Sequence, residues 1–143
     1  ETYKQLNNYG VFLEGTILKP NMILPGNLNA KKSTPEEIAL KTITVLKKTV
    51  PSAVPGIAFL SGGQTEKEAT NNLNAINIQA NITHLPWELS FSYGRGLQSA
   101  TLKEWSGNSA NKKSAQTIFL HRATLTSTAR QGQYSFSLEN SNI

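Results

Sequence analysis

No cysteine occurs among the 143 residues, so neither a disulfide framework nor a thiolate metal site can be built. Histidine is nearly as scarce: His84 and His121 are too few and too far apart for a zinc motif. No apolar run approaches the roughly 20 residues of a membrane-spanning helix. The opening Glu1-Thr2-Tyr3-Lys4 lacks the charged and apolar regions of a signal peptide. The cytoplasm is therefore the expected location, with no membrane partner. Neither a GxxxxGK phosphate loop nor a GxGxxG dinucleotide fingerprint is present. Basic residues outnumber acidic ones by 14 to 9, but the pairs Lys31-Lys32, Lys47-Lys48 and Lys112-Lys113 are scattered. A nucleic-acid binder concentrates such charge in a stripe on a recognisable module, whereas a net charge of +5 suits a protein that handles small anions.

What is present reads as one globular domain: 38 % hydrophobic residues and a mean hydropathy of −0.34. The first stretch, 9–19, alternates as a strand, with Val11, Leu13, Gly15, Ile17 and Lys19 on one face. Pro20 stops it and holds Lys19 in the extended region. Lys19 is thus either a solvated strand-end lysine or an amine among aliphatic side chains. In the second case desolvation lowers its pKa and makes it a nucleophile.

A loop over 20–26 and a polar connection over 27–33 lead to a helix, with Thr34 as cap, Pro35 at its first position and Glu37 closing a capping box. Ala39, Ile43, Leu46 and Val50 form its buried stripe and Pro51 ends it. Ile57-Ala58-Phe59-Leu60, set between glycines, predicts a strand buried on both faces. A second capping box, Thr65 with Glu68, opens a helix with Ala69, Leu73 and Ile76 inward, followed by a connection over 81–86. Trp87 to Ser92 predicts the third strand, then come a short helix over 97–105 and a long one over about 111–130. Ala115, Phe119 and Ala123 mark the long helix's stripe, with Ile118 and Leu125 beside it, and residues 131–143 read as a loose polar tail. Alternating strands and helices predict parallel β/α units.

Two glycine turns occupy equivalent places after strands: Ser61-Gly62-Gly63 and Tyr93-Gly94-Arg95-Gly96. Glycine lets the backbone approach a ligand, and the helix that follows adds partial positive charge. Arg95 can fork two hydrogen bonds to an anion, and the Ser61 hydroxyl can donate another.

Together these stretches resemble the class I fructose-bisphosphate aldolases. Leu13-Glu14-Gly15-Thr16-Ile17-Leu18-Lys19-Pro20-Asn21-Met22 is similar to the family's Schiff-base strand. Phe59-Leu60-Ser61-Gly62-Gly63-Gln64-Thr65-Glu66 is similar to its seventh strand end, and Phe91-Ser92-Tyr93-Gly94-Arg95-Gly96-Leu97-Gln98 to its eighth. The resemblance runs from about residue 9 to about residue 134. It implies an α/β fold of the TIM (β/α)8 barrel type with only the C-terminal portion present, three parallel strands and their helices over 1–130, then a tail over 131–143. It also implies a metal-independent lyase of glycolysis with no cofactor, acting on a sugar bisphosphate. Lys19 would form the imine; Ser61, Gly62, Gly94 and Arg95 would hold the substrate phosphate, with Leu60 and Gly63 framing the turn. A homotetramer is implied for the full-length enzyme, and an actin-like cytoskeletal partner is compatible with it.

The match is incomplete. The family's acid/base carboxylates and a second active-site lysine lie on earlier strands that this sequence does not contain. Its tail ends Ser141-Asn142-Ile143 where the family ends in a tyrosine, Tyr134 matching an earlier one; Gly96 stands where alanine is usual. A barrel needs about 250 residues, so the sequence is expected to be a fragment with little or no turnover of its own. Another Schiff-base aldolase and a non-catalytic phosphate-binding or scaffold module stay open as alternatives.

Overall fold

In the computed structural model, which describes residues 1–26 and 28–140, the elements run α1 (Thr2–Asn8), β1 (Ile17–Leu18), α2 (Pro35–Thr49), β2 (Gly56–Phe59), α3 (Glu66–Thr83), β3 (Glu88–Phe91), α4 (Arg95–Trp105) and α5 (Lys112–Arg130). Asn27, in the connection expected over 27–33, and the terminal Ser141-Asn142-Ile143 lie outside the described residues.

Both capping boxes form. The Glu37 amide donates to Thr34 Oγ1 at 3.2 Å and the Thr34 amide to Glu37 Oε2 at 3.0 Å. Thr65 and Glu68 repeat the exchange at 3.2 and 2.9 Å. Each box satisfies orphan amides of a first turn and so sets where the helix begins. The expected stripes, Ala39, Ile43, Leu46 and Val50 on α2 and Ala69, Leu73 and Ile76 on α3, are all buried.

The sheet is parallel, in the order β1-β2-β3. Ile17 lies opposite Gly56, and the β2–β3 register runs from Gly56 opposite Glu88 to Phe59 opposite Phe91. Strand, helix, strand, helix, strand is the α/β arrangement expected for part of a barrel. Ile57, Phe59 and Leu89 point into one core with Ile38, Ile43, Leu46, Leu73, Ile76 and Leu125 from the helices. A fully buried side chain of this kind contributes about 2 kcal/mol.

Several expectations need correction. The strand expected over 9–19 is reduced to Ile17–Leu18, preceded by α1 and a 3-10 turn at Leu13–Gly15. Its alternation suits a strand, but among the described residues its only strand partner is β2, and that pairing reaches no further back than Ile17. The backbone closes on itself instead: the Thr16 amide and hydroxyl both donate to Leu13 O, at 3.0 and 2.7 Å, and Gly10 turns at φ +64°. β2 is buried on one face, not both: Ile57 and Phe59 are enclosed while Gly56 and Ala58 are half-buried. The helices cover the first face; nothing among the described residues covers the second in the way the far side of a closed barrel would.

α3 continues to Thr83, into the expected 81–86 connection, and ends on His84 in the left-handed region at φ 48°. α4 starts at Arg95 rather than at residue 97. On α5, Ala115 and Leu125 are buried as expected, but Phe119 is exposed and Ile118 and Ala123 are half-buried. The buried stripe instead passes through Arg122, Thr126 and Ala129, because the tail supplies that arginine with a partner. The tail is accordingly not loose over its described length: Tyr134 is buried and Phe136–Asn140 forms a 3-10 turn.

Candidate active site

The candidate residues gather at the carboxyl ends of the three strands, where parallel sheets place their ligands. Lys19 follows β1, Leu60–Gly63 follow β2, and Gly94 and Arg95 follow β3. Backbone bonds beyond the strands hold these ends side by side. The Leu60 amide donates to Pro20 O at 3.0 Å, and the Ser92 amide to Phe59 O at 2.8 Å.

The two glycine turns meet directly. The Gly96 amide donates to Ser61 Oγ at 3.2 Å, and both residues are buried. That bond uses a lone pair of the hydroxyl and leaves its proton for a further acceptor. A Cβ on Gly96 would stand 3.0 Å from Ser61 Cβ and 3.1 Å from Tyr93 Cδ2, so the approach depends on a small residue. A Cβ on Gly62 would fall 2.8 Å from Leu60 Cδ1, and Gly63 adopts φ +74°. Among the described residues the amides of Gly62, Gly63 and Gly94 find no acceptor within the chain. Together with the first turn of α4 they form a set of fixed donors.

Arg95 opens α4, exposed, and among the described residues its guanidinium has no hydrogen bond or ion pair. With Gly63, Gln64 and Ser99 it lines a cleft of about 700 Å³. A second cleft of about 750 Å³ borders the other side of the turn, lined by Asn21, Leu24, Gly62, Lys67, Asn72 and Phe136.

Lys19 is exposed. The aliphatic surroundings expected for it are open too, Ile17 being 70 % and Val11 38 % accessible. Among the described residues β1 pairs with β2 alone, so none of them forms a strand on its outer side that could dry the amine.

Sequence reasoning gave no role to three supporting side chains. Asn21 Nδ2 donates to Gly62 O at 3.3 Å, and Asn21 Oδ1 accepts the Met22 amide at 2.9 Å. The buried Tyr93 hydroxyl donates to Ala69 O at 2.9 Å and ties the second turn to α3; burial pushes its phenol far above the usual range. Glu66 Oε1 accepts the Ala100 amide at 2.8 Å and holds α4 against the start of α3. Asparagine after Pro20 is a local turn signal; the other two bonds cross between elements and leave no local trace.

The model of the family "Glycolytic: Fructose-bisphosphate aldolase class-I" matches residues 1–143. Fructose-bisphosphate aldolase B from Homo sapiens is 54 % identical over 132 residues, which cover 92 % of this chain and 36 % of that protein. The Mus musculus aldolase B is 55 % identical over the same shares. The chain thus spans about a third of the length of the curated relatives it matches. Among solved structures, fructose-bisphosphate aldolase from Plasmodium falciparum, in complex with TRAP and a small-molecule inhibitor, superposes with a TM-score of 0.89 at 44 % identity. The match covers 93 % of this chain and 38 % of that one. With the glycine turns, the strand-end lysine and a family match over its whole length, the chain belongs to the class I fructose-bisphosphate aldolases.

Proposed function

We propose that this chain contributes the imine-forming strand and the phosphate turns of a lyase that cleaves fructose 1,6-bisphosphate into dihydroxyacetone phosphate and glyceraldehyde 3-phosphate. The observation that carries this reading is the contact between the two turns, Gly96 amide to Ser61 Oγ, at strand ends adjoining the one that bears Lys19. Ser61, Gly62, Gly94 and Arg95 hold the C1 phosphate, framed by Leu60 and Gly63, and fix the neighbouring C2 ketone against the amine. Neutral Lys19 Nζ adds to C2 and water leaves, giving a protonated imine. A base outside this chain takes the C4 hydroxyl proton, the C3–C4 bond breaks, and its electron pair moves into the imine as an enamine. Glyceraldehyde 3-phosphate departs; protonation and hydrolysis of the enamine release dihydroxyacetone phosphate and restore Lys19. The scheme needs no metal or organic cofactor.

The earlier strands of the barrel supply the base and cover β1, which dries Lys19. In that full-length enzyme we place the chain in a cytoplasmic homotetramer, with an actin-like cytoskeletal partner as a further association. The exposure of Lys19 favours a second reading for the isolated chain, a phosphate-binding module without turnover. Borohydride reduction with substrate, followed by peptide mass analysis, separates the two. An adduct confined to Lys19 supports the lyase; bound sugar phosphate without an adduct supports the module. Full turnover by a monodisperse 15.6 kDa species would refute dependence on further strands.

A further inference from the structure

Among the described residues the shortest ion pair lies where the tail returns to the helices, and its side chains belong to neither the lysine strand nor the glycine turns. Arg122 Nη1 on α5 donates to both oxygens of Glu139, at 2.8 and 2.7 Å, with the two side chains only 4 % and 6 % exposed. Arg122 Nη2 is itself held by Thr70 Oγ1 at 2.7 Å and Glu66 O at 3.3 Å, both from α3. The Tyr134 hydroxyl donates to Glu139 Oε1 at 2.7 Å, and the Tyr134 amide to Asn74 Oδ1 at 2.9 Å. Lys67 Nζ stands 3.8 Å from Glu139 Oε2 as a further, exposed cation. Between these anchors Phe136 meets the Tyr134 ring edge-on at 5.8 Å and forms part of the wall of the cleft that Gly62 and Gly63 line.

We propose that residues 134–140 are a clasped strap: the Arg122–Glu139 pair holds Phe136 against the cleft beside the glycine turn, and the strap opens as a unit when that pair is broken. Tyr134 is buried in the core and anchors the start of the strap, but beyond it little apolar surface is enclosed: Phe136 is 58 % exposed and Leu138 is half-buried against the core. Beyond Tyr134 the order of the strap therefore rests on the carboxylate more than on packing. A bidentate pair taken out of water holds firmly while complete and loses its grip once one partner is neutral. This inference does not depend on the lyase reading, because it concerns the seating of the tail and not the ligand.

Hydrogen exchange of the 143-residue chain tests it. Amides of Phe136–Asn140 are expected to exchange at least on the order of tenfold more slowly than in a free peptide of the same sequence. Glu139→Gln should bring them to the peptide's rate, with α3 and β2 still protected and chymotrypsin newly cutting after Phe136. Strap amides that exchange freely in the unaltered chain, or that stay protected in Glu139→Gln, overturn the proposal. Should Glu139→Gln unfold α3 as well, the paired Arg122→Met, Glu139→Met variant removes both charges without leaving one buried. Its strap must then open while α3 stays protected; a strap that stays shut, or opens only with α3, overturns the proposal equally.

Discussion

Arg95 projects from the start of α4 with no partner in the described chain, so its removal deprives no buried group of a contact. Arg95→Ala should leave stability within about 0.5 kcal/mol while lowering phosphate affinity on the order of tenfold, since a charge-assisted bond is lost. Ser61 differs, because its Oγ accepts a buried amide. Ser61→Ala should cost about 1 kcal/mol of stability as well as affinity. Urea unfolding alongside calorimetric titration with inorganic phosphate reads both effects; unaltered affinity in Arg95→Ala would remove it from the site. The glycine turns were legible because glycine at a strand end has a local physical reason. The hydration of Lys19 was not, since alternation says which face a side chain takes and not what lies opposite it.

Among the elements, helices α2 and α3 were read most faithfully, whereas α1 was not expected. Thr34 and Thr65 announce the starts of α2 and α3 through contacts three residues away, which a sequence displays directly. Thr65→Ala breaks the box at the head of α3, the helix whose Ala69, Leu73 and Ile76 are fully enclosed. It should cost about 1 kcal/mol, measured as a lowered midpoint of thermal unfolding, with Glu68→Gln costing less because it retains an acceptor. β1 shows the opposite case. Its pattern suited a strand of eleven residues, yet two are paired, because a strand needs a neighbour and a helix does not. Phe119 shows a similar limit: its spacing placed it on the stripe of α5, but the face that meets α3 carries Arg122.

For the whole molecule, the clasp makes stability sensitive to acid. Burial works against the Glu139 carboxylate, but the hydrogen bonds from Arg122 and Tyr134 and the charges of Arg122 and Lys67 outweigh it and hold its pKa below the usual carboxylate range. A depressed carboxylate pKa gives stability that is complete above the unfolded value of about 4.3 and is lost as pH falls through the folded value. Unfolding free energy should therefore drop below about pH 4, and Glu139→Gln should flatten that drop. A chain and variant with identical acid profiles would remove Glu139 from the account.

The sequence by itself determined that the segments of α2, α3, α4 and α5 become helices, though not α1, where two of them start, that the strands run parallel, and which glycines and which lysine stand at strand ends. These follow from contacts within a few residues and from periodicities of the chain. Only the tertiary structure decided that Ser61 caps Gly96, that β1 pairs over two residues with Lys19 in water, and that Arg122 seeks the tail. Each of these depends on which distant group, or none, comes to lie opposite, and burial and desolvation exist only once that group is in place.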